Sequence, residues 1–392
     1  MSARREQRWP WWPLLPLYPY GRRRTLVREL IPGQVWSFEQ LLGLYYVAVP
    51  IRMTVLKLRQ GLMLYAPVAP TAEVREALRE LEQRHGPVLT IVLPTTSGLE
   101  HKLPVPAMVR AFPAATLWVA PQQWSFPLRL PLPWLGFPTR RTRVLIEQGL
   151  PHGDELDWRA LGPLDLGIGS FGEVACCHRA SGALLLTDAL FAIEEQPPEI
   201  FTADPTPLLF HARERGEEPL GDGPEQRRQG WWRLVLFATY LRPPGLEVLN
   251  LLETCRGALR PGLRDTRSHF GLYPFRWSNG WQEAFLALLG PGGEARLQVA
   301  PVVERLVFPR QRGVLAAWLR ELAGLQDLRW VIPAHHAAPL PCAGPQLLTL
   351  AEQIETSACP QAGAWTFLRE LDERIIALGL VPATPRDRSK VS

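Results

Sequence analysis

The chain is 392 residues long, with 46% hydrophobic and 21% charged residues, the proportions of a folded globular protein and not of a disordered one. That length can bury a sizeable core and holds one large domain with insertions or two domains. Lys+Arg 43 against Asp+Glu 38 leaves a formal charge of only +5, too dilute over this chain to point to nucleic acid.

Residues 1–50 read as an N-terminal arm and entry segment. The arm carries Arg4, Arg5, Arg8, Arg22, Arg23, Arg24 and Arg28, with Trp9, Trp11 and Trp12 among them. Such an arm can make peripheral contact with an anionic membrane, or it can pack its tryptophans onto the main domain. Prolines break the start before any secretory apolar region forms. The longest apolar stretch, around Leu41 to Ile51, falls short of the roughly 20 residues a membrane-spanning helix needs. Cys176, Cys177, Cys255, Cys342 and Cys359 are an odd set without a CxxC pair, which suits reduced thiols in the cytoplasm. On a strand, the adjacent Cys176 and Cys177 face opposite ways.

MTVLKL (53–58) and LMLYAPV (62–68), separated by Arg59, Gln60 and Gly61, predict a β-hairpin. Thr71 then suits a helix N-cap, with Val74, Ala77, Leu78 and Leu81 at helical spacing until Gly86. VLTIVL (88–93) predicts a short buried strand, followed by a polar loop, a helix from Val105 to Phe112 and a strand at ATLWVA (115–120). Strand, helix, strand alternation favours a parallel or mixed sheet whose sites gather at the carboxyl ends of its strands. Residues 121–138 read as an extended packed loop, and 144–188, punctuated by glycines, as an antiparallel meander. A helical insertion follows at about 189–295, including a helix over Leu246 to Leu259. RLQVAPVV (296–303) and LRWVIPA (328–334) predict strands flanking a helix at Gly313 to Ala323. Residues 346–392 read as C-terminal helices and a polar tail.

Three apolar runs end in groups suited to metal chemistry. VLTIVLPTTSGLEHK delivers Glu100 and His101, ALLLTD delivers Asp188, and LRWVIPAHH delivers His335 and His336. If the three runs share one core, these groups meet at one rim. Imidazoles and carboxylates bind a divalent ion, and the ion lowers the pKa of a bound water; Glu100, His101, Asp188 and His335 are the candidate ligands. His211 and Arg213, in the insertion, are candidates to reach over the rim and orient a substrate. His178 reads as a hydrogen-bonded strand residue, and Arg276 and Trp277 as part of a packed aromatic cluster. GIGSFG lacks the following helix and the GK[ST] ending of a phosphate loop.

The order of these residues resembles the metallo-β-lactamase superfamily. TSGLEH (Thr96 to His101) stands in place of its HxHxDH motif, LLLTDAL offers Asp188 for the motif aspartate, and VIPAHH offers His335 for the last histidine. The resemblance implies an αβ/βα four-layer sandwich over about residues 51–345. Thr96 and Gly98 replace the first two histidines, so the family's first metal site is absent. Glu100, His101, Asp188 and His335 correspond to the second, which implies one divalent ion, zinc, manganese or iron, or none. GLEHK, FPAATLWVAPQQWSFPL, LLFHARE, FGLYPFRW and VIPAHH also resemble an uncharacterised family of cyanobacterial and plastid proteins known only as a domain of unknown function. That likeness implies a photosynthetic setting, with a cytoplasmic or thylakoid-associated protein. The expected function is a metal-dependent hydrolase with a mononuclear site. The alternative is a pseudoenzyme whose rim and insertion bind a small molecule or a protein.

Overall fold

The computed structural model describes residues 17–18, 23–44, 46–125, 128–167, 169–259, 268–356 and 363–383. The first part of the chain builds an eight-stranded sheet from β1 (Leu17–Tyr18), β2 (Leu26–Ile31), β3 (Val35–Leu44), β4 (Val47–Leu58), β5 (Gly61–Tyr65), β6 (Val88–Leu93), β7 (Thr116–Val119) and β8 (Thr142–Val144). It is antiparallel through β5 and parallel from β5 to β8. The change of direction follows from the connections. A two-residue turn joins β4 to β5, whereas the Ala72–His85 helix carries the chain from β5 to β6. Thr71 caps that helix as expected, its hydroxyl accepting from Val74 N at 3.4 Å.

The second sheet opens with the expected antiparallel meander, β9 (Leu156–Asp165), β10 (Ser170–His178) and β11 (Ala183–Leu186). A two-stranded ribbon, β12 (Leu246–Val248) with β13 (Phe275–Trp277), then interrupts the chain. β14 (Trp330–Pro333) returns parallel to β11, and β15 (Leu340–Pro341) closes that edge.

Side-chain alternation builds the layers. Met63 and Tyr65 on β5, and Cys176, Ala183 and Leu185 on β10 and β11, fill the space between the sheets. Leu62 and Leu64 face the opposite way, onto Val74 and Leu78 of the first outer helix. Cys177, Leu184 and Leu186 pack beneath Leu315, Leu319 and Leu347 of the Arg312–Ala323 and Gly344–Thr356 helices. The result is an αβ/βα four-layer sandwich. Tyr65 crosses its centre, with its hydroxyl 3.1 Å from Val174 O and 3.2 Å from Leu185 O.

Between Asp188 and β14 the chain forms its own aromatic cluster, in which Phe210, Trp231 and Phe285 pack with Leu41, Tyr46 and Ala48 of the first sheet. Its longest helix is Pro224–Tyr240. Two sequence expectations fail here. RLQVAPVV is not a strand: only Gln298 makes a β-bridge, to Phe191, and Pro301 begins a helix, Pro301–Leu306, a position where its missing N–H and fixed φ are harmless. The helix expected over Leu246 to Leu259 is divided, because Leu246–Val248 pairs in the ribbon and Asn250 caps a shorter helix, Leu251–Ala258.

At the other end, β2, β3 and the first half of β4 extend the sheet into the segment read as arm and entry hairpin. Arg28 pairs there with Glu39. The tryptophans of the arm lie outside the described residues. No helix among the described residues is long and apolar enough to cross a membrane.

Candidate metal centre

The carboxyl ends of β6, β11 and β14 converge on one rim, where main-chain bonds join the sheets. Val174 N donates to Pro94 O (2.8 Å), Thr96 N to Gly172 O (2.8 Å) and Arg52 N to Ala334 O (2.7 Å). Glu100 and His101 lie on a short helical turn, Leu99–Lys102, rather than in an open loop. Two side chains hold that segment from below. Lys102 Nζ donates to Thr96 O (2.7 Å) and to the Gln123 carbonyl, and Gln123 Nε2 donates to Thr95 O (3.0 Å).

One nitrogen or oxygen from each of Glu100, His101 and His335 lies within 4.8 Å of the others. Each imidazole is oriented by its far nitrogen. His101 Nδ1 donates to Pro67 O and His335 Nδ1 to Pro50 O, both at 3.1 Å. This leaves Nε2 of each as the inward atom, the arrangement that metal-ligating histidines adopt. His101 is fully buried, and its Nε2 has no hydrogen-bond partner. A buried polar atom left without a partner costs about 1–3 kcal/mol, and a ligand at this point would remove that cost. The donor set therefore fits a divalent ion.

Asp188 stands beside this trio. Its Oδ1 is 3.1 Å from His335 Nε2 and its Oδ2 accepts from the Thr95 hydroxyl at 2.9 Å. Burial alone would make His335 less basic, but Asp188 and Glu100 outweigh it and raise its pKa. Burial of Glu100 is likewise outweighed by His335 and His101, which hold its carboxyl low. His335 Nε2 thus lies between Asp188 and Glu100, and a metal ion held by these groups would compete with a proton for it.

Glu173 was not legible as part of this site. It is buried on β10, and its carboxylate accepts the N–H groups of Thr187 (2.6 Å), Asp188 (2.8 Å) and Ala189 (2.8 Å). Burial, and then the nearby Asp188 charge, push its carboxyl upward. Arg52 does the same for the other strand end: its guanidinium donates to Pro333 O (2.5 Å) and His336 O (2.6 Å) while pairing with buried Glu39 at 3.0 Å. A carboxylate inside FGEVACC, and an Arg and a Glu at inward positions of paired strands, were the available signals.

The structure does not bring His211 or Arg213 to the rim. His211 is buried among Phe210, Phe237 and Phe275, with Nε2 donating to Tyr46 O at 3.0 Å. The Arg213 guanidinium stacks over Tyr273, 4.4 Å from the ring centre. Both serve the packing of the insertion. His178 donates or accepts at Ser181 Oγ, 2.9 Å away, and Arg276 pairs with Glu247 across the ribbon at 2.9 Å.

Burial pushes the His211 pKa down from 6.5 to about 3. The fold therefore favours neutral His211. Its contribution is whole above the ordinary value and drains as pH falls from there toward the depressed one. That amounts to a loss on the order of 2 kcal/mol by pH 5. Acid titration followed by circular dichroism should show His211→Asn unfolding at lower pH than the parent; an unchanged acid midpoint would contradict the assignment.

Gly98 is also constrained. A Cβ there would lie 2.6 Å from Thr95 Cγ2 and 2.8 Å from Glu100 Oε1. Gly98→His should accordingly fail to create a second metal position and should lower stability by about 1–3 kcal/mol through overpacking. Metal titration giving two equivalents for the variant would refute this.

Residues 32–351 match the family model described as Domain of unknown function (DUF4336). The chain belongs to this family. No curated protein matches this DUF4336 chain. Among solved structures it is similar to the metallo-β-lactamase FIM-1 from Pseudomonas aeruginosa in its mono-zinc form, at 10% identity over 85% of this chain and 97% of that one, with a TM-score of 0.37. The Flv1 flavodiiron core from Synechocystis shares 10% identity over 85% of this chain and 61% of that one, with a TM-score of 0.38. A putative diflavin flavoprotein fragment from Nostoc shares 11% over 90% and 99%, at 0.39.

Proposed function

We propose that the protein is a metal-dependent hydrolase with one divalent ion held by Glu100, His101 and His335 and completed by Asp188. The observation that carries this reading is the unpartnered, fully buried Nε2 of His101 facing the other donors. Two imidazoles and two carboxylates suit zinc, manganese or iron. When bound, the ion would supply a more acidic water and polarise a substrate oxygen. The chain's own contribution is rigidity. The carbonyls of Pro67 and Pro50 fix both rings, the Thr95 hydroxyl occupies Asp188 Oδ2, and the second oxygen of Asp188 faces His335.

The test is metal add-back. Protein stripped with a chelator should bind one equivalent in calorimetric titration, and hydrolysis of p-nitrophenyl esters should appear only in the loaded form and disappear in Asp188→Asn. Hydrolysis that is equal with and without metal would rule the reading out.

A further inference from the structure

A cavity of about 370 Å³ opens in front of the rim cluster, with Glu100, Asp188 and His335 at its floor. Its walls are mainly apolar and come from Val49 of β4, Phe171 of β10, Phe191 beyond β11, Ala238 of the Pro224–Tyr240 helix, and Val302 and Val303 of the Pro301–Leu306 helix. Among the described residues no lysine or arginine lines it. Two buried polar atoms on lining residues have no hydrogen-bond partner, Thr187 Oγ1 and His336 Nδ1.

Charge decides what such a cavity can hold. The two carboxylates, Glu100 and Asp188, would cancel the charge of one divalent ion, so the loaded floor would be neutral, and among the described residues no lysine or arginine on the walls offsets an anionic ligand. Setting a phosphate or carboxylate against these mainly apolar walls without a compensating charge is unfavourable. An uncharged body loses little on entry and gains from burial. The unpartnered Thr187 hydroxyl and His336 nitrogen then supply the few polar contacts that would orient it.

We propose that this cavity takes a small, uncharged, mainly apolar carboxylic ester and turns away phosphate esters and free carboxylates, with Thr187 and His336 as its polar contacts. The proposal rests on the metal-centre reading above. In hydrolysis the oxygen of water bonds to the acyl carbon, the bond from that carbon to the alkoxy oxygen breaks, and one water proton goes to the departing alcohol. Selection by the cavity precedes that step and is read by binding alone.

The experiment compares methyl benzoate, benzoate and phenyl phosphate, three probes with one ring and different charge, on the full-length metal-loaded protein by ligand-observed NMR titration. Methyl benzoate should bind at least tenfold more tightly than either anion. Thr187→Val, which exchanges an unpartnered hydroxyl for a methyl group, should keep or raise thermal stability yet weaken methyl benzoate severalfold. Ala238→Trp should abolish its binding by filling the cavity. Anions binding as tightly as the ester, no binding of the ester, or an unchanged affinity in both variants would overturn the proposal. Metal content measured on the same samples reports separately on the hydrolase reading, which an anion preference would leave standing.

Discussion

Replacing Arg52 by methionine is expected to lower folding stability by about 3–5 kcal/mol, the cost of breaking one side of a buried ion pair. Arg52 and Glu39 are almost completely buried, and the guanidinium also holds the carbonyls of Pro333 and His336. Its loss therefore acts twice. Glu39 keeps the more exposed Arg28 and the Ser37 hydroxyl as partners, and the loop that carries His335 loses the two bonds from the guanidinium while keeping its main-chain contacts to β4. Urea unfolding of the metal-free protein measures the first effect, and metal affinity of the folded variant measures the second. Replacing Glu39 and Arg52 together by leucine and methionine should recover much of the stability but not the affinity. A single variant as stable as the parent would contradict the role given to Arg52.

Glu173→Gln should be nearly as damaging, although it changes one atom. The carboxylate accepts three successive main-chain N–H groups from Thr187 to Ala189, and an amide must turn its own NH₂ group toward at least one of them. The expected loss is about 2–3 kcal/mol, because at least one buried donor is stranded. Asp188 sits in the middle of that segment, so metal affinity should fall with stability, by about 10–100-fold as for other groups that orient ligands. Glu173→Asp, which keeps both oxygens but shortens the reach, should fall between the two. Calorimetric metal titration of the three proteins orders them; equal affinities would show that Glu173 supports the fold alone.

These two residues also show where the sequence stopped being readable. The strands that end at Leu93, Leu186 and Pro333 were visible as short apolar runs, because a strand buried on both faces needs no alternation. Polar groups that follow such runs sit at a sheet's carboxyl edge, so Glu100, His101, Asp188 and His335 could be nominated together. What positions them was not visible. Arg52 acts on residues more than 280 positions away, and Glu173 serves a turn formed by a different strand, so neither leaves a local pattern. The insertion was legible as helical in character, but its internal boundaries were not. Proline in RLQVAPVV could end a strand or start a helix, and the packing of the insertion chose the helix. His211 is ambiguous in the sequence for a related reason: a histidine beside aromatic residues reads the same whether it faces a cavity or a core, and only tertiary structure shows that Phe237 and Phe275 enclose it.

If the rim cluster holds one metal ion, elemental analysis of protein purified without added metal will detect it, with His101→Ala and Asp188→Ala as controls. The parent protein should hold close to one equivalent of a transition metal, and His101→Ala, which removes a ligand outright, should lose at least about 100-fold in affinity. Parent protein that holds no metal, and binds none when zinc, manganese or iron is supplied, would contradict it.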